Sequence, residues 1–167
     1  MIELKLHHQK SLNLQGNSFT REAVRAYIRS GDRVLFIHSP QNGDYKLPGG
    51  GIEAGENHEE ALRREILEES GYIISDMGPQ IALISEFSEA AEPDMDFFRM
   101  NSHYYSCEVD TGEQTVQNLD DYEKALEMTP VWIEPAKALE LNRSVLKNNP
   151  SPPRWTRREI LFLESLE

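Results

Sequence analysis

The sequence predicts an α/β fold, an α/β/α sandwich in which a mixed β-sheet lies between layers of helices. Segments with strand-like patterns outnumber helical segments, and the main helical segment lies between two groups of strands. An amphipathic helix must bury its apolar stripe, so this order of elements favours helices packed on the faces of the sheet. A length of 167 residues fits one domain, and we expect residues 1–167 to form it.

The first part of the chain carries strand signals. Residues 1–18 are expected to form an N-terminal extension or an edge strand, because Met1–Leu6 alternates apolar and polar side chains. Gly31 lies between two apolar runs, in a segment that predicts the turn of a hairpin. The strands predicted after the first are Arg21–Arg29, Arg33–His38 and Tyr45–Leu47.

A helix is predicted from Asn57 to Ser70. Asn57 is a suitable N-cap, and Glu60 three residues later completes the pattern of a capping box. Gly71 follows the last helical residue, where a left-handed conformation commonly ends a helix. Both ends of this helix are therefore marked in the sequence.

The remaining elements alternate between strands and helices. An acidic loop at Ser88–Met100 separates two strand-like runs, and Leu119–Glu127 is predicted to be a short helix or an irregular segment. The C-terminal segment 150–167 contains a proline-rich hinge followed by a helix. The predicted elements are strands at Gln80–Phe87, Ser102–Val109 and Val131–Ile133 and helices at Pro135–Lys147 and Thr156–Leu166.

The charge of the chain limits its partners. The formal net charge is -12, so the surface repels nucleic-acid backbones and anionic membranes, and we expect neither a long nucleic acid nor a membrane as partner. A small anionic substrate remains open if a metal ion neutralises it locally. No apolar segment is long enough to span a membrane and no signal peptide is recognised, so we expect a cytoplasmic protein.

Three glutamates of the predicted helix lie in one sector beside its apolar stripe. At about 100° per residue, Glu65, Glu68 and Glu69 flank the stripe formed by Leu62 and Ile66. Two carboxylates about 5.5 Å apart repel each other by roughly 3 kcal/mol in a partly buried groove, so such a cluster needs protons or cations. Oxygen ligands without imidazole or thiolate select Mg²⁺ or Mn²⁺. Most acid-rich helices are nevertheless only solvated faces, so the helix alone does not decide the matter.

Other residues near the helix support a metal site. Arg64 has Glu60 and Glu68 on adjacent turns, so it can orient a ligand while offsetting repulsion. The glycine run Gly49–Gly51 permits close backbone approach, and its carbonyl groups are candidate metal ligands. The run lacks the Lys-Ser/Thr ending of a P-loop, so nucleotide binding of that kind is not indicated.

The spacing of these residues resembles the signature of the Nudix (MutT-like) hydrolase family, and Leu47-Pro48-Gly49-Gly50 is similar to its usual lead-in. Tyr72 departs from the pattern, because an aliphatic residue is usual there. The match covers 23 residues of the chain. It consists of Gly50, five residues, Glu56, seven residues, Arg64-Glu65-Ile66, one residue, Glu68-Glu69, one residue and Gly71.

The resemblance implies a loop–helix–loop motif held in a Nudix-like sandwich. It also implies a Mg²⁺-dependent hydrolase that cleaves the diphosphate linkage of a small nucleoside diphosphate derivative by water attack at phosphorus, releasing a nucleoside monophosphate. Substrate-binding residues and the particular substrate stay open. By similarity, Glu68 and Glu69 are the principal metal ligands, completed by Glu65 and the Gly50 carbonyl, and Glu56 with Arg64 is the structural pair that joins loop to helix, which ends at Gly71.

Several questions remain open at this point. A general base is expected outside the motif; Glu127 resembles a position that sometimes serves, and its competitors are Glu89, Glu92, Asp94, Glu113 and Glu123. The basic segment Arg154–Arg158 either binds a phosphate or a base, or packs Trp155 against the last helix. Two alternatives to a hydrolase are a binding module that does not cut its nucleotide and an isomerase that uses Cys107. A homodimer paired through Met1–Leu6 is also open.

Overall fold

A computed structural model describes every residue from Met1 to Glu167. The chain forms eight strands and four helices, and one strand, at the glycine run Gly49–Gly51, was not predicted. The strands are β1 (Ile2–His7), β2 (Ser18–Ser30), β3 (Arg33–His38), β4 (Tyr45–Lys46), β5 (Gly49–Gly51), β6 (Tyr72–Ser88), β7 (Phe97–Gln114) and β8 (Thr129–Ile133). The helices are α1 (His58–Ser70), α2 (Asp121–Ala125), α3 (Pro135–Asn148) and α4 (Trp155–Glu164).

The sheet is mixed, and β2 lies at its centre. The main strand order is β1-β6-β7-β2-β3-β4, while β5 pairs with β2 and β8 pairs with β3. β2 runs parallel to β7 over most of its length, and β1 runs parallel to β6 at one edge. β2 and β3 form the predicted hairpin around Gly31. Because β5 pairs with β2, residues of the central strand lie directly beside the β5 glycines.

Helices cover both faces of the sheet. Leu35 packs with α1 residues such as Leu62 and Ile66, whereas its neighbour Phe36 packs with α3 and α4. Consecutive strand residues point to opposite faces, so one apolar run in β3 supplies both cores. This arrangement confirms the predicted α/β/α sandwich.

The caps of α1 form as the sequence predicts. The Asn57 side chain accepts a hydrogen bond from the Glu60 N–H, and the Glu60 carboxylate accepts one from the Asn57 N–H. Gly71 adopts a left-handed conformation with φ of 75° and ends the helix. The local signals were sufficient to define this element.

The two longest strands exceed their predictions. β6 spans 17 residues and β7 spans 18, because they pair through register shifts that interrupt the simple alternation of apolar and polar residues. The acidic loop is shorter than predicted, since Phe97–Met100 already belongs to β7 and pairs with the start of β2. None of the helices combines the length and the apolar character that crossing a membrane requires.

Candidate active site

The glycine run β5 joins the sheet to α1, and each of its glycines has a different close neighbour. A Cβ added to Gly49 would lie 2.0 Å from the Val24 carbonyl oxygen, and Gly49 has a φ of 145°. A Cβ on Gly50 would lie 2.4 Å from Cδ of Glu65. The atoms nearest to a Cβ on Gly51 would be those of the Arg21 guanidinium, the first at 2.5 Å. The three glycines thus lie so close to a backbone carbonyl, a carboxylate and a guanidinium that a side chain would collide with each.

Arg64 ties this loop to α1. Its guanidinium donates two hydrogen bonds to the Glu56 carboxylate, at 2.6 and 2.9 Å, and a third to the Gly51 carbonyl at 3.0 Å. The hydrogen bonds from Arg64 lower the pKa of Glu56 to about 2. A bidentate pair has a defined geometry, so the loop cannot slide along the helix without breaking it. Glu60, which the sequence also put beside Arg64, is engaged in the capping box instead.

Glu65 and Glu68 both contact Nη1 of the Arg64 guanidinium. Nη1 lies 2.7 Å from the Glu65 carboxylate and 3.4 Å from that of Glu68. Burial raises the pKa of Glu65, and the carboxylates of Glu69 and Glu68 add to the rise against the opposing effect of Arg64. The Glu68 side chain is 37% exposed and contacts no other cation. Negative charge is therefore crowded on this side of the helix.

Glu69 points into the interior and pairs with a lysine. Its carboxylate lies 3.0 Å from Lys46 Nζ and accepts a hydrogen bond from the Gly49 N–H at 3.1 Å. Both side chains are almost fully buried. Burial opposes the charge of Lys46, but the attraction of Glu69 outweighs it and the pKa of Lys46 is raised.

The donor set of α1 fits a hard divalent cation. Arg64 draws Glu65 and Glu68 in one direction and Lys46 draws Glu69 in another, so no three acidic, histidine or cysteine side chains surround a single point. All of the donors are oxygens, burial and the neighbouring carboxylates raise the pKa of Glu65, and Gly50 leaves open the space where a side chain would meet Glu65. The three-carboxylate metal site stays a prediction with a compatible set of ligands.

A cavity of about 450 Å³ opens beside these residues. Both carboxylates and guanidinium groups line it; we call the set Glu65, Glu69 and Glu123 the acidic wall and the set Arg21, Arg25, Arg154 and Arg158 the basic wall. The walls meet at Gly49, whose N–H donates to Glu69 and whose carbonyl accepts a 2.6 Å hydrogen bond from Arg25. Glu68 lies outside the cavity in an adjoining acidic groove, which also contains Glu65 and Glu123.

Among the carboxylates considered as general base, Glu123 lines the cavity. It lies on α2, where Asp120 provides a capping box, and it is only 7% exposed. Burial raises its pKa to about 7, with a further contribution from the nearby Glu69 carboxylate. Glu127 is exposed, has a φ of 52° and does not line the cavity. The carboxylates Glu89, Glu92, Asp94 and Glu113 do not line it either.

The structure divides the basic segment Arg154–Arg158 into two parts. Trp155 donates a hydrogen bond from Nε1 to Asp44 and lies under the ammonium of Lys46, and Arg158 is buried with Glu86 and Glu159. Both residues thus make contacts within the protein, although they also line the cavity. Arg154, in contrast, is exposed at the cavity and has no ion pair.

Arg21 and Arg25 were missed in the sequence. Both lie on β2 and point to the cavity. The one available signal was an arginine inside the apolar run Ala23–Ala26, because a charged side chain is seldom placed in a buried strand without a role. Nothing local indicated that this arginine would face the α1 glutamates.

A comparison with protein-family models matches the NUDIX domain over residues 19–158. The match covers most of the chain and includes both walls of the cavity. It also includes α2 and the first residues of α4.

Related sequences align over shorter segments. An ADP-ribose pyrophosphatase of Methanocaldococcus jannaschii is 44% identical over 54 residues, which are 30% of this chain and 32% of that protein. A nucleoside triphosphatase, NudI, of Salmonella arizonae is 59% identical over 39 residues, 22% of this chain and 28% of that protein. The chain thus spans about a third or less of the length of these relatives.

Solved structures share the fold. A MutT NUDIX hydrolase from Burkholderia pseudomallei has a TM-score of 0.56 and 23% identity, covering 89% of this chain and 99% of that one. A NUDIX hydrolase from Nitrosomonas europaea has a TM-score of 0.55 and 19% identity, covering 88% and 90%. At these identities the likeness concerns the fold alone.

Proposed function

The chain belongs to the NUDIX family, and from this membership we propose that it hydrolyses the diphosphate linkage of a small nucleoside diphosphate derivative. The products are a nucleoside monophosphate and the phosphorylated remainder. The observation that carries the proposal is the cavity lined both by Glu65 and Glu69 of the signature and by four arginines. A metal-bound diphosphate needs carboxylates on one side, and its remaining oxygens need cationic donors on the other.

Nudix hydrolases generally use divalent metal ions, and Mg²⁺ or Mn²⁺ fits the oxygen ligands of this site. Glu65, Glu68, Glu69 and the Gly50 carbonyl are the groups that would hold the ion. When bound, such an ion stabilises charge that develops on the phosphate oxygens and lowers the pKa of a coordinated water. Arg64 positions Glu65 and Glu68 through its contacts with both carboxylates.

Glu123 is the proposed general base. It lies in the wall of the cavity together with Glu65 and Glu69, and it also lines the groove next to Glu68. A carboxylate oxygen at that position can accept the proton of a water molecule that enters between the two helices. The sequence-based candidate, Glu127, lies four residues further along the chain, beyond the end of α2, and does not line the cavity, so we propose Glu123 in its place.

The relatives support the reaction class without defining the substrate. One is named for ADP-ribose and another for nucleoside triphosphates, and both compounds contain a diphosphate linkage. A binding module that does not cut its ligand is the alternative considered for this chain. No signature glutamate has been lost, so we favour the enzyme.

Glu68→Gln is the sharpest test because Glu68 is half-exposed and contacts only Arg64. We expect the fold to be preserved and Mg²⁺-dependent turnover to fall at least a hundredfold, which corresponds to about 2.7 kcal/mol of barrier. The assay is product release from nucleoside triphosphates, ADP-ribose, nucleotide sugars and dinucleoside polyphosphates. Glu59→Gln is the matched control, since Glu59 lies on the same helix and contacts only Arg63 at the surface.

Full activity in Glu68→Gln would remove the α1 carboxylates from the mechanism. Tight binding of a nucleotide by the wild-type protein, with no product from any compound in Mg²⁺ or Mn²⁺, would instead favour the binding module.

A further inference from the structure

The N-terminus of α4 differs from those of α1 and α2 in its charges. α1 and α2 each begin with a capping box and acidic residues in the first turn. α4 begins at Arg154 with no side-chain cap and no acidic residue in its first turn, and Arg157 and Arg158 follow within four residues. The N-terminus of a helix carries partial positive charge and free N–H groups, so Arg154 and Arg157, which form no ion pair, are unfavourable there unless an anion is nearby. This end of α4 faces the cavity.

Arg25 provides independent evidence for an anion at the same place. It is 7% exposed and lines the cavity, yet it makes no ion pair. Its Nη1 donates to the Gly49 carbonyl, whereas its buried Nε–H has no acceptor. Burial lowers the pKa of Arg25, and the nearby charge of Arg158 lowers it further. A buried guanidinium without a carboxylate is costly, and an anionic ligand would offset that cost.

The cations that line the cavity fall into two groups. Lys46 and Arg158 are neutralised by carboxylates of the protein. Arg21, Arg25 and Arg154 form no ion pair, although the chain as a whole has a formal net charge of -12. In a strongly acidic protein, cations left unpaired in one cavity indicate that their partner is a ligand.

We propose that the N-terminus of α4, together with Arg25 and Arg154, binds the terminal phosphates of a nucleoside triphosphate. This inference rests on the proposed function and specifies its substrate class. The diphosphate linkage of a nucleotide sugar carries two negative charges, which a divalent cation on the acidic wall would balance. A triphosphate carries up to two more, and these match the unpaired arginines.

The reaction implied is hydrolysis of the bond between the α- and β-phosphates. The oxygen of water forms the new bond to the α-phosphorus, and the bridging P–O bond breaks. Pyrophosphate leaves with the electron pair of that bond, and the water proton passes to the general base and then to solvent. The products are a nucleoside monophosphate and pyrophosphate, and no oxidant or second substrate is needed.

The test compares Arg154→Ala with Arg157→Ala. Both arginines are exposed and form no ion pair, but only Arg154 lines the cavity, so Arg157→Ala is a matched control for charge. For Arg154→Ala, we expect kcat/KM to fall about tenfold for nucleoside triphosphates and less than twofold for ADP-ribose. Arg157→Ala should leave both values within twofold of the wild type.

A second measurement separates this inference from the proposed function. Calorimetry measures the binding of inorganic tripolyphosphate to the metal-free protein. We expect Arg154→Ala to bind tripolyphosphate about tenfold more weakly than the wild type, and Arg157→Ala to bind it as the wild type does. If the wild type hydrolyses ADP-ribose and Arg154→Ala lowers kcat/KM equally for ADP-ribose and for nucleoside triphosphates, the inference is overturned and the proposed hydrolase is retained. Arg154-dependent binding of tripolyphosphate without hydrolysis of any substrate would support the anion site and overturn the hydrolase. Equal tripolyphosphate binding in all three proteins would overturn the anion site.

Discussion

The acidic and basic walls of the cavity differ in how their charges are balanced within the protein. Glu69 is paired with Lys46, and Glu65 is paired with Arg64. On the basic wall, only Arg158 has carboxylate partners, while the other arginines have none. Two of the three carboxylates of the acidic wall are therefore held by cations of the protein and only Glu123 forms no ion pair, whereas three of the four arginines of the basic wall depend on a ligand for their counter-charge.

The largest effect is expected at Gly49, where the two walls meet. Gly49→Ala would place a Cβ 2.0 Å from the Val24 carbonyl at a φ of 145°, so backbone atoms must move. We expect a loss of about 4 kcal/mol in the free energy of unfolding, from strain and displaced strand pairing. Urea denaturation followed by circular dichroism measures it. The hydrogen bonds from Gly49 to Glu69 and from Arg25 to Gly49 would be disturbed together.

Gly51→Ala is the matched control for this prediction. Its added Cβ meets only the flexible end of the Arg21 side chain, which can move aside. We expect a loss below about 1 kcal/mol. Equal destabilisation by Gly49→Ala and Gly51→Ala would show that the close approach of Gly49 to the Val24 backbone is not what stabilises the place where the walls meet.

The next largest effect concerns the ion pair that anchors the acidic wall. Glu69→Gln leaves the buried Lys46 ammonium without a counter-charge. We expect a loss of about 3 kcal/mol in the free energy of unfolding, because removing one partner of a buried pair leaves an uncompensated charge. Glu59→Gln removes the charge of an exposed pair with Arg63 only, and its expected cost is below about 0.5 kcal/mol. A Glu69→Gln protein as stable as the Glu59→Gln protein would contradict the anchoring role of the pair.

A comparable effect is expected from the pH dependence of the acidic wall. Burial raises the pKa of Glu123 to about 7 from an ordinary value of 4.5, and Glu69 contributes to the rise. The folded protein therefore favours protonated Glu123. Its contribution to stability is complete below about pH 4.5 and is lost as the pH rises through about 7, a change on the order of 3 kcal/mol.

Glu123→Gln removes this titration. In metal-free protein with a chelator, the variant should gain about 3 kcal/mol relative to the wild type between pH 4.5 and pH 8. Urea unfolding at both pH values provides the measurement. A constant difference between wild type and variant across this range would mean that Glu123 ionises as an exposed carboxylate does.

The two walls also differ in how far the sequence predicts them. The α1 glutamates were identified because their spacing, the Asn57 cap and Gly71 all lie within one short segment, and helical geometry relates their positions directly. The basic wall unites β2 with α4, so Arg25 and Arg154 are separated by most of the chain and meet only through the sheet. A pattern within one short segment of the sequence therefore cannot predict that these two arginines come together.

The sequence was also insufficient to choose the general base, because the choice depends on the direction in which each of two nearby carboxylates points. Glu123 and Glu127 are four residues apart and equally acidic, and resemblance alone favoured Glu127. The Asp120 capping box sets the rotation of α2 and turns Glu123 inward, while Glu127 follows the end of the helix in a left-handed conformation. Likewise, the lengths of β6 and β7 depend on pairing across bulges, which alternation within either strand does not reveal.

The smallest effect is expected at Cys107, which belongs to neither wall. It packs on β7 with apolar residues beneath α1, and burial raises the pKa of its thiol to about 12. A nucleophilic cysteine needs an accessible thiolate, so the isomerase alternative requires an environment opposite to the one observed. Cys107→Ser should cost about 1 kcal/mol of stability, because the new hydroxyl is buried, and should leave kcat within twofold of the wild type. A hundredfold loss of turnover in Cys107→Ser, at a near-normal urea midpoint of unfolding, would show that the reaction depends on a group outside the cavity. The charges of the two walls would then not account for catalysis.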